Sequence, residues 1–64
     1  MVAMSWWGVW VEFQGECHLY VIWSHDHSDA VRRAVSRARR HGWRGPDVRV
    51  RSVIARYDLS LLAG

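Results

Sequence analysis

The chain has 64 residues, a formal net charge of +3, half of its residues hydrophobic, and five tryptophans. That length allows one small domain, residues 1–64, whose core is worth roughly 3–5 kcal/mol net without staples. The lone cysteine, Cys17, excludes an intrachain disulfide.

The charge is segregated along the chain. All nine basic residues are arginines, and all lie between Arg32 and Arg56. Residues 1–31 carry instead Glu12, Glu16, Asp26 and Asp29. Such a layout points to an anionic partner or to the acidic half of a second copy. Lysine, asparagine and threonine are absent. That bias fits a GC-rich coding genome, such as an actinobacterium or one of its phages, where arginine replaces lysine without any functional demand. No targeting segment is visible. The longest apolar run, Leu19 to Trp23, is too short to span a bilayer. A soluble, cytoplasmic protein with no membrane partner is expected.

Residues 1–5 read as a loose lead-in. Trp6 to Phe13 alternates with aromatic and β-branched residues and predicts a strand. Gln14-Gly15-Glu16 predicts the turn, and Cys17 to Trp23 a second strand. A three-residue loop pairs Phe13 with Cys17, Val11 with Leu19, Val9 with Val21 and Trp7 with Trp23. It thereby collects eight apolar side chains on one face. A two-residue loop would mix Glu16 and His18 among them, so side-chain segregation favours the longer loop.

Asp26 to Gly42 predicts an amphipathic helix. Ala30, Val31, Ala34, Val35 and Ala38 form one stripe at helical period, and arginines fill much of the rest. Asp26 is the expected N-cap, with Ser28 competing and Asp29 at N3. Gly42 suits C′, and Trp43 at C″ can fold back over Ala38. A stripe so small in side chain must lie close to a surface that supplies the bulk.

Trp43 to Asp47 is turn chemistry around Pro46. Asp47 to Tyr57 predicts a third strand, with Val48, Val50 and Ile54 pointing inward, Arg49 and Arg51 outward, and a bulge near Ser52–Ile54. The apolar tail, 58–64, predicts a short helical turn against the core or a partner. The order ββαβ, with a right-handed crossover, gives an α+β domain. Its three-stranded antiparallel sheet has order 2-1-3, and the single helix covers one face.

The uncovered face is then expected to show Trp6, Trp10, Tyr20, Ile22, His18, Arg49 and Arg51. Aromatics and arginines of this kind serve protein interfaces, and they also serve platforms that stack single-stranded nucleic acid. The helix arginines Arg33, Arg37 and Arg40 can lie along a phosphate backbone, although a plain solvated face reads the same way. His25 and His27 are too few for a metal site without a third ligand. Cys17, expected in the core, is a poor nucleophile. No phosphate loop, dinucleotide fingerprint or nucleophile elbow is present, so neither an enzyme nor a cofactor is expected. The leading expectation is a protein-interaction module that self-associates as a homodimer or larger homo-oligomer. It includes an unknown protein partner, such as a host protein that this chain modulates as a phage-type accessory protein. The alternative is a nucleic-acid-binding module.

Overall fold

A computed structural model describes residues 3–62. Its elements are β1 (Ser5–Phe13), β2 (Glu16–Ser24), α1 (His27–Arg40), β3 (Arg49–Ile54) and a closing 3-10 turn at Leu59–Leu62. The sheet is antiparallel throughout, in the order β2-β1-β3. The expected ββαβ architecture is therefore the one observed. Residues 1, 2, 63 and 64, the ends of the expected lead-in and tail, lie outside the described residues.

The hairpin register differs from expectation by one residue. The loop is the two-residue turn Gln14-Gly15, so Phe13 pairs with Glu16, Val11 with His18, Val9 with Tyr20 and Trp7 with Ile22. Both loop residues have positive φ, +50° and +82°. This is the type I′ geometry, whose twist matches that of the flanking strands. The shift turns β2 over. Ile22 is 1% exposed under the helix, whereas its neighbour Trp23 is 44% exposed on the other side. Tyr20 and Ile22, expected on the open face, are core residues. Leu19, Val21 and Trp23 take their place outside.

Polar partners make that register workable. His18 meets no bare apolar wall: its ring lies 5.0 Å from Tyr20 and 6.1 Å from Trp43. Phe13 stacks on Trp43 at 5.7 Å, and the Tyr20 hydroxyl lies 3.1 Å from His41 Nδ1. Burial raises the Tyr20 pKa, because the phenolate would lose its hydration there. At the other end Ser24, fully buried, donates its hydroxyl to Asp29 Oδ2 at 2.7 Å.

The helix begins and ends where its capping residues place it. Asp26 Oδ1 accepts from the Asp29 amide at 2.7 Å, which fixes the N-cap. At the other end Gly42, at φ +100°, donates its amide to Arg39 O, and the Trp43 amide donates to Ala38 O at 2.9 Å. These two bonds are a Schellman motif. They swing Trp43 over the core beside Phe13. Ala30, Ala34 and Ala38 are fully buried against Val9, Val11, Tyr20 and Ile22. The small stripe lets the helix sit close, and the sheet supplies the volume.

β3 is shorter than expected. Its bulge falls opposite Trp10/Val11, where Val11 pairs with Val50 and Trp10 with Ser52, so Arg51 is the extra residue. The bulge shifts the in–out alternation by one residue after Val50, so Val53 packs on the core while Ile54 stays exposed, the reverse of the expected Ile54 orientation. The chain then turns at Arg56, and the Tyr57 amide donates to Trp6 O. The Tyr57 ring lies directly over Gly8. A Cβ at Gly8 would come within 2.6 Å of Tyr57 Cδ2.

Candidate functional site

Two surfaces stand out once the core is closed. The first is the sheet face opposite the helix. Side chains alternate along a strand, so this face carries Met4, Trp6, Gly8, Trp10 and Glu12 from β1 and its approach. It carries Cys17, Leu19, Val21 and Trp23 from β2, and Arg49, Ser52 and Ile54 from β3. Trp6 and Trp23 form a cross-strand pair with ring centroids 5.1 Å apart. They occupy a pair without mutual backbone bonds, the closer of the two antiparallel sites. Tyr57 covers Gly8 in the middle. At the hairpin end Arg51 Nη1 bonds Glu12 Oε1 at 2.8 Å, with Arg49 opposite Glu12.

Contiguous exposed apolar side chains on one face mark a candidate binding surface. Trp6, Trp23, Met4 and Ile54 are all exposed there. Leu59, Leu61 and Leu62 of the closing turn are exposed as well. This segment forms the expected helical turn but docks on no core.

The second surface is a groove of about 350 Å³ along α1, lined by Arg32, Arg33, Ser36, Arg37 and Arg40. Asp29 anchors its near end, pairing with Arg32 and with Arg33 Nε at 2.9 Å. The hydroxyl of Ser24, then the two arginines, hold the Asp29 carboxyl below the ordinary carboxylate range. Arg33 and Arg37 also reach the outward carbonyls of Trp23 and Val21, at long distances of 3.5 and 3.4 Å. They thus sit across the free edge of β2, where another strand would otherwise add.

No family model, curated protein or solved structure matches the chain.

The expected site residues are divided between the two surfaces and the core. Trp6, Trp10, Arg49 and Arg51 share the open face. Tyr20, Ile22 and His18 face the helix instead. Arg33, Arg37 and Arg40 line the groove on the helix. Leu19, Val21, Trp23, Ile54 and Tyr57 join the open face without having been expected there. For the three β2 residues the signal is the Gln-Gly dipeptide, since glycine in the second position of a two-residue loop suits type I′. Cys17 moves with β2 from the expected core to the exposed face, 4.0 Å from Glu12 Oε1. Among the described residues, no three His, Cys, Asp or Glu side chains are placed to hold a metal ion. No helix there is long and apolar enough to cross a membrane.

Proposed function

We propose that this chain is a protein-interaction module that self-associates through its uncovered sheet face. The observation that carries the reading is the exposed Trp6–Trp23 pair set among Met4, Trp10, Leu19, Val21 and Ile54. A face of this composition costs free energy in water, about 25 cal/mol for each Å² of apolar surface left wet. Aromatic anchors in such a patch are the residue types that dominate interface energies. The thinness of the molecule, 18 Å in its shortest direction, agrees with one helix layer on one sheet layer. A second sheet packed on the open face would complete a helix–sheet–sheet–helix sandwich.

A base-stacking role for the same face is the second reading: Tyr20 lies under the helix, but Trp6, Trp10 and Trp23 share the face. Light scattering across a concentration series tests the self-association reading. A mass of twice 7.5 kDa is expected, falling toward one chain in Trp6→Ser with the helical circular dichroism retained. A single-chain mass at every concentration up to millimolar would reject it.

A further inference from the structure

We propose that the arginine groove on α1 is a binding site for the phosphodiester backbone of nucleic acid. Its lining is four guanidinium groups and one hydroxyl, with no carboxylate among them. Asp29 neutralises one charge at the near end and holds Arg32 and Arg33 in place. Arg33 and Arg37 also approach the Trp23 and Val21 carbonyls, at 3.5 and 3.4 Å. Arg32 and Arg33, paired with Asp29, have less side-chain freedom left to lose on binding. Each keeps further N–H donors for an oxygen anion. Among the described residues, Arg37 and Arg40 have no carboxylate partner at all.

The shape of the groove selects the ligand. It is lined from a single helix and runs along that helix, so a polymer can pass through it. Arg33, Arg37 and Arg40 stand at intervals of roughly 6 and 4.5 Å along the axis, which sets out a row of charge and not one point. No ring or apolar wall lines it to hold a base or a sugar. Recognition is therefore of backbone charge, without sequence preference. The groove lies on the opposite side of the sheet from the open face and is complete within one chain. Its test is thus independent of the oligomeric state.

The experiment is a fluorescence-anisotropy titration of a labelled 12-nucleotide single strand at two salt concentrations. It is run on the wild type, on Arg37→Gln/Arg40→Gln, and on the charge-matched control Arg44→Gln/Arg56→Gln. Circular dichroism confirms that each variant is folded. The groove variant is expected to bind roughly tenfold more weakly at low salt. Its log–log salt slope should be shallower by about 1.4, or about 0.7 for each single-strand phosphate that is no longer neutralised. The control should stay within about twofold. Three results would overturn the proposal: no binding at low salt, equal weakening in the groove variant and the control, or displacement of the strand by tripolyphosphate at equal phosphate concentration. The last would assign the groove to a small phosphate compound.

Discussion

The two faces of the sheet are built from similar residues and meet different surroundings. The covered face presents Val9, Val11, Tyr20 and Ile22 to three alanines and closes without an unpartnered buried polar side-chain atom among the described residues. The open face presents Trp6, Trp10, Leu19, Val21 and Trp23, with Tyr57 laid across its middle. The more apolar set of β2 residues is thus the one left outside. Hydrophobicity alone would put it under the helix. Local polar geometry reverses that order: the I′ turn sets the register, and the Ser24–Asp29 and Tyr20–His41 pairs occupy the covered side. Under the self-association proposed above, these larger apolar residues are the ones a second copy would cover.

The two faces differ most in what they tolerate at Ile22. Ile22→Ala removes a fully buried side chain and is expected to cost about 2–5 kcal/mol, which is comparable to the whole stability of a domain this small. Thermal melting by circular dichroism would then show little or no folded baseline. The same truncation next door, Val21→Ala, should lower the melting temperature far less.

At Gly8 the chain covers its own open face with Tyr57. Gly8→Ala forces that ring off β1, an overpacking cost of about 1–3 kcal/mol. Combining it with Tyr57→Ala should cost less than the sum of the two single changes in a double-mutant cycle. Additivity would show that the ring does not lie there.

The helix start contributes less. Asp26→Ala is expected to cost about 1 kcal/mol, the usual worth of an N-cap. The acid limb adds a pH test. The Asp29 carboxyl is depressed by Ser24, Arg32 and Arg33, so its contribution is present above the unfolded carboxylate range. It is lost as pH falls through the folded-state value. Asp29→Asn should flatten the melting temperature against pH at the acid end, and an unchanged acid limb would place the sensitivity elsewhere.

Most of the fold is legible in the residues. The Ala stripe, Asp26 and Gly42-Trp43 locate the helix and both of its caps, and the ββαβ order follows from turn chemistry. The register is not legible by segregation, since 17/19/21/23 and 18/20/22/24 are both largely apolar in their middles. Apolar pairing alone favours the wrong one of the two. The bulge at Arg51 escapes for a related reason: Val50, Val53 and Ile54 are alike in propensity, and only the pairing to Trp10 and Val11 tells them apart. The arginine stripe is legible, but its reach toward the β2 edge depends on tertiary geometry that no periodicity records.

On the proposed reading, adjacent residues of β2 serve the core and an interface between copies. Sedimentation velocity on Trp23→Glu and Ile22→Glu, read beside their circular dichroism, tests it most directly. Trp23→Glu should sediment as a folded single chain with the wild-type spectrum, and Ile22→Glu should lose the helix. A Trp23→Glu protein that unfolds, or that sediments as the wild type does, would contradict the account.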